Sequence, residues 1–197
     1  MSPDTECVHT MKPNLPRIIA AISKAIAALQ THGRHASQYD IVKTLFLADR
    51  EHLNEWGRPI TYDNYKAMEH GPVPSVAYDL LKNNEFIMRK HTIDVLPWTG
   101  TPVRGGHGKR EYELNSPLDQ WLHPLSESDL EALERAAANV SSMTFGQIRR
   151  LTHEDPAYLD AWPNGAQKGA YDMKLGLLFE APNFERAAIL EYQSEHV

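Results

Sequence analysis

"GRPITYDNYKAMEHGPVPS", residues 57–75, sets Gly57, Pro59, Gly71, Pro72 and Pro74 around Tyr62, Tyr65 and a lone His70. Each glycine or proline is costly inside a regular element and useful where the backbone turns in one fixed way. The stretches on either side both read as helices, so this segment decides how they are joined. Two roles stay open for it. It is either a shaped surface that meets another molecule, or a linker that packs the core. Pro72 and Pro74 restrict the residues before them to extended conformations, so "HGPVPS" should reach Ser75 as a stiff arm that starts a helix.

Upstream, Ser37 to Trp56 reads as a helix that Gly57 stops. Val42, Leu45, Phe46, Leu53 and Trp56 mark its apolar face, and Asp49 and His52 fall on the same face. A carboxylate on a buried stripe requires a charged or hydrogen-bonding partner, here expected from residues 58–75. Further upstream, Ile18, Ile22, Ile26 and Leu29 recur at helical spacing up to Gly33. Residues 1–16 show little periodicity and are expected to form a mobile tail ahead of a single domain over 17–197.

Downstream, Ser75 is placed to cap a short helix "VAYDLLKNN". "TIDVLPW" and "REYELN" read as two strands of a hairpin around the Gly-rich "TGTPVRGGHGK". Capping signals then follow in series: Ser126 with Asp129, Thr144 with Gln147, and Asp155 before Pro156. "NFERAAILEYQ" adds a last helix, and "YDMKLGLLFE" carries no readable type. The expected fold class is α+β and mainly helical, a compact helical domain with a small inserted β-hairpin.

With 197 residues, 42% of them hydrophobic, the chain is able to bury one substantial core, so one domain is expected, with two small ones as the fallback. A formal charge of −6 argues against non-specific nucleic-acid binding, and no helix-turn-helix with a basic recognition face is legible. That weakens the reading of a DNA-binding autorepressor. Cys7 is the only cysteine, which excludes a disulfide framework and a zinc-finger spacing. No apolar run approaches the roughly 18 to 20 residues that span a bilayer. A cytoplasmic location follows as the expectation, with no membrane partner.

Asp49, His52 and His70 form a possible two-histidine, one-carboxylate set, and hence a metal-dependent hydrolase is one alternative. A buried Asp49–His52 pair that orients the following loop is the simpler account, because no further ligand joins them, and no metal or cofactor is expected. His153, Glu154 and Asp155 are read as a helix cap rather than ligands. Arg104 and His107 in the hairpin tip could contact a partner or a phosphate, but the order of a P-loop is absent. No nucleophile motif is present, so no catalytic residue is assigned.

Residues 41–83, with "KTLFLADREHL" containing Asp49, then "GRPIT" and "YKAMEHGPVPS" leading into "YDLL", resemble the Panacea domain, also called the SocA-like antitoxin family. The resemblance implies a small, non-enzymatic antitoxin of a bacterial or phage-borne toxin–antitoxin system. Its partner would be a cognate toxin neutralised by direct contact. In one branch such a protein delivers its toxin to a protease, which makes a protease or chaperone a further partner. Within that reading Arg58, Tyr62, Tyr65, His70, Arg104 and His107 are the candidate contacts. Asp49, His52, Gly57, Pro59, Gly71, Pro72 and Pro74 are the frame.

Overall fold

The computed structural model describes residues 8–104, 109–164 and 168–196. The described residues form eight α-helices and two small antiparallel sheets, a mainly helical α+β fold. Helix α1 (Leu15–Thr31) is capped by Asn14 and leads to α2 (Gln38–Trp56), capped by Ser37. The Gly57 amide bonds to Leu53 O in a left-handed conformation, φ +74°, which ends α2 without a Cβ clash.

Helix α2 runs through the middle of the molecule. Ile41, Val42, Leu45 and Ala48 belong to a first apolar cluster with α1, α3 (Ser75–Leu81) and α5 (Glu127–Ser142). Phe46 and Leu53 belong to a second, with Tyr62, Tyr65, Tyr158, Met173, Leu175 and Leu190. A helix covered on two sides must also bury polar residues, and α2 buries Asp40, Lys43, Thr44, Asp49 and His52. Trp56, expected on the apolar face, is instead 61% exposed and stacks on His52.

The Gly/Pro segment is a β-hairpin, which the sequence reading did not assign. Strand β1 (Tyr65–Met68) pairs antiparallel with β2 (Gly71–Pro74), leaving Glu69 and His70 as the two-residue tip. β5 (Tyr171–Asp172) flanks β1 on the other side, so the order is β2-β1-β5 and both prolines lie on an edge strand, where a missing N–H costs least. β2 passes directly into α3. Ser75, expected as the cap, is the first helical residue. Its hydroxyl donates to Asn64 O, and the capping acceptor is Asp63 instead.

The second hairpin, β3 (Trp98–Pro102) with β4 (Arg110–Leu114), starts six residues later than "TIDVLPW" suggests, because an unforeseen helix α4 (Glu85–Lys90) and its exit occupy the preceding stretch. Tyr112 anchors it to the core, its hydroxyl donating to Leu81 O at 2.8 Å. Helices α5, α6 (Phe145–His153) and α7 (Pro156–Ala161) begin at the caps read from the sequence, with capping boxes Ser126–Asp129 and Thr144–Gln147. "YDMKLGLLFE" becomes β5 and a single 3-10 turn at Leu175–Leu177 ahead of α8 (Phe184–Ser194).

The expected tail over 1–16 is corrected for its described part. Met11 is 5% exposed within the second cluster, and its amide donates to Asn64 Oδ1 at 2.9 Å. The amides of Thr10 and Lys12 donate to Glu191 and Ser194 of α8. A single apolar residue and three side-chain acceptors from distant elements hold this stretch, and none of them leaves a periodic signal. Residues 1–7 lie outside the described residues. Among those described, no helix is long and apolar enough to cross a membrane.

Candidate functional site

Three buried carboxylates hold residues 57–77 in place. Asp49, about two turns before the end of α2, accepts from the amides of Ile60 (2.8 Å) and Thr61 (3.0 Å) through Oδ1. Its Oδ2 accepts from the hydroxyls of Thr61 and Tyr65. Burial pushes this carboxyl upward and the four donors oppose that. Asp63 accepts from the amides of Asn64, Val76 and Ala77, so it caps α3 from the preceding loop. Burial pushes it up to about 7 against those three donors. Asp129 on α5 receives Arg17 at 2.6 Å and Arg58 at 3.0 Å, and has the His52 Nε2 within 3.2 Å. Burial alone would raise it, but the bonds from Arg58 and Ser126 and the charge of Arg17 bring it down to about 2.

These contacts redistribute the expected site residues. Tyr62 and Tyr65 are 5% and 4% exposed, so they are core residues rather than contacts. Tyr62 also holds φ +56°, a left-handed backbone that a bulky side chain adopts only when its surroundings impose it. Arg58 is spent on Asp129 and Ser126. Arg104 is exposed beyond β3, and His107 lies outside the described residues. Pro59, Gly71, Pro72 and Pro74 are buried. The set needed for metal hydrolysis is not assembled. Asp49 is saturated by the following loop, His52 donates to Arg58 O and faces Ser128 and Asp129, and His70 sits on the edge of Phe145. No three metal-ligating side chains gather among the described residues.

What remains at the surface is the hairpin tip and the cleft beside it. This cleft, about 260 Å³, lies between Gln38, Tyr39, Val42 and Lys43 of α2 and Met68, Glu69, His70 and Val73 of the hairpin, with Tyr78 of α3. At its rim Phe145 is 50% exposed, with Tyr39 tilted against it at 4.7 Å and the His70 ring edge-on at 5.8 Å.

Lys43 forms part of the floor. Its side chain is fully buried, its Nζ donates to Pro72 O at 2.6 Å, and the amine lies 5.3 Å from the Tyr39 ring centre. Burial lowers its pKa to about 7. Gly71, at φ +99°, is required here, because a Cβ would stand 2.7 Å from Thr152 Oγ1 and 2.9 Å from Lys43 Nζ. Sequence reading missed Lys43, Tyr39 and Phe145. A lysine between Val42 and Thr44 looks like a solvated helix position, and Phe145 looks like an ordinary first-turn residue. Only for Asp129 was a signal present, in its spacing from Ser126.

Compared with known proteins, residues 41–158 match the family described as antitoxin SocA-like, Panacea domain. No curated protein and no solved structure matches the chain. The matched region runs from the first turn of α2 into α7 and contains the three carboxylates, the hairpin, Lys43 and Phe145. It covers more than half of the sequence, and the chain therefore belongs to the SocA-like antitoxin family with a Panacea domain.

Proposed function

We propose that this antitoxin neutralises a cognate toxin by direct protein–protein binding, and that the toxin docks on the hairpin tip and the aromatic rim of the adjacent cleft. The observation that carries the reading is Phe145, a half-exposed aromatic braced by Tyr39 and His70 beside a concave surface. Rigid aromatic anchors next to a pocket are the side chains that dominate interface energies. The hairpin behind them is tied down by Asp49, Asp63 and Lys43, so docking costs little ordering entropy. The chain acts by binding, with no chemical step.

The test pairs the protein with the product of the reading frame adjacent to its own gene. That product should arrest growth when expressed alone and be tolerated when this chain is co-expressed. The purified pair should form a complex by calorimetry. His70→Ala combined with Phe145→Ser should weaken the complex at least about tenfold, the effect of losing one anchor, and melt close to the parent because both residues are exposed. Full neutralisation by that double variant would move the interface elsewhere on the molecule.

A further inference from the structure

We infer that the floor of the cleft at Lys43 is a receptor for a carboxylate, supplied by an acidic side chain of the bound toxin. This rests on the toxin-docking reading above and adds the chemistry of the group that enters.

Donors that lack acceptors line this cleft. An ammonium has three N–H donors, and Lys43 spends one on Pro72 O. The Gln38 Nε2 and Tyr39 Oη are both shielded from solvent and have no hydrogen-bond partner among the described residues. All three residues line the same cleft. Buried donors of this kind normally have a partner, and each one without costs free energy. A carboxylate, with two oxygens and about four lone-pair sites, offers acceptors for all three donors.

Charge points the same way. Arg149 lies close enough to act on both Tyr39 and His153, and Lys43 and His70 both act on His153. Glu69 is the one acidic residue lining the cleft, while Asp40 beside Tyr39 is occupied by Arg34 and Ser37. A chain with a net charge of −6 thus gathers cations at this point and leaves them poorly compensated. At about 260 Å³ the cleft is smaller than the usual site for a drug-sized molecule, roughly 300 to 1,000 Å³, and suits one inserted side chain.

A carboxylate that enters would pair with the Lys43 amine and draw a proton onto it. At pH 8, above the value of about 7 that burial imposes on this amine, the free protein holds it mostly neutral, so complex formation should take up a proton. Tyr39, held near 12, and His153, held near 4, keep their protonation states at that pH. His70, Glu69 and Arg149 also face the region.

Calorimetry of the toxin complex at pH 8, in buffers of different ionisation enthalpy, reads this uptake directly in the unmutated chain. Lys43→Met, which keeps the length and removes the donors, should abolish the uptake and weaken binding at least about tenfold, as for loss of one member of a buried charge pair. Its melting temperature should stay within a few degrees of the parent's, because the lost bond to Pro72 O is offset by removal of a buried amine with only one partner. An Asp→Asn or Glu→Gln substitution in the toxin should then exist that weakens binding to the parent but not to Lys43→Met.

Parent binding without proton uptake, or Lys43→Met binding as tightly as the parent, overturns the carboxylate receptor and leaves toxin docking intact. Uptake that disappears in His70→Gln and survives in Lys43→Met overturns it as well. Failure of the parent to bind the toxin at all overturns both readings.

Discussion

Asp49 has no charged partner, yet each of its oxygens accepts two hydrogen bonds from residues 60–65. Removing it leaves two amides and two hydroxyls unsatisfied in the core. Asp49→Ala should therefore cost about 3 kcal/mol or more in denaturant unfolding. Asp129 contributes through charge. Its carboxyl is held at about 2 in the folded state, below its ordinary value near 4. A depressed carboxyl stabilises fully above its unfolded value, and the contribution is lost as pH falls through the folded one. The difference in stability between the parent and Asp129→Asn should thus shrink by roughly 2 kcal/mol between about pH 5 and 2. Tyr62→Ala, which would look like a surface change if the tyrosine faced a partner, should destabilise by about 3 kcal/mol because the side chain is in the second apolar cluster.

At the scale of elements, the β1–β2 hairpin depends on the helices around it. Its edge strand supplies Pro72 O to Lys43, and its close approach to α6 requires a glycine at 71. Gly71→Ala combines a disfavoured φ with two contacts under 3.0 Å to side chains of α2 and α6. It should destabilise by roughly 2 kcal/mol and raise amide exchange in β1 and β2 more than in α1. The capping boxes behave as local devices. Thr144→Ala should cost about 1 kcal/mol, read as a lower denaturant midpoint with an unchanged slope.

For the whole molecule, two apolar clusters share α2, and the stretch before α1 closes the second of them against α8. A chain lacking residues 1–13 loses the buried Met11 with its bond to Asn64, and the bonds of Thr10 and Lys12 to Glu191 and Ser194. It should melt several degrees below the parent, given about 2 to 4 °C per kcal/mol at this size. An unchanged melting temperature would show that α8 and β1 hold the cluster without it.

Apart from α4 and the cap of α3, the helices were legible from the sequence alone, because periodicity and caps are local: Ser37, Ser126, Thr144, Asp155 and the stop at Gly57 all act within a turn of the element they define. So was the family, whose residues cluster between 41 and 83. The demand of Asp49 for a partner was readable too, since a carboxylate on an apolar stripe cannot be left bare. Long-range contacts decided the rest. Asp63 caps a helix twelve residues further on, Thr10 and Met11 are held by acceptors at 191 and 64, Tyr65 turns inward because Asp49 and Phe46 meet it there, and Tyr62 joins the same apolar cluster. Lys43 became a cleft residue only because a hairpin folded over α2, and helix periodicity carries no record of what will cover a face.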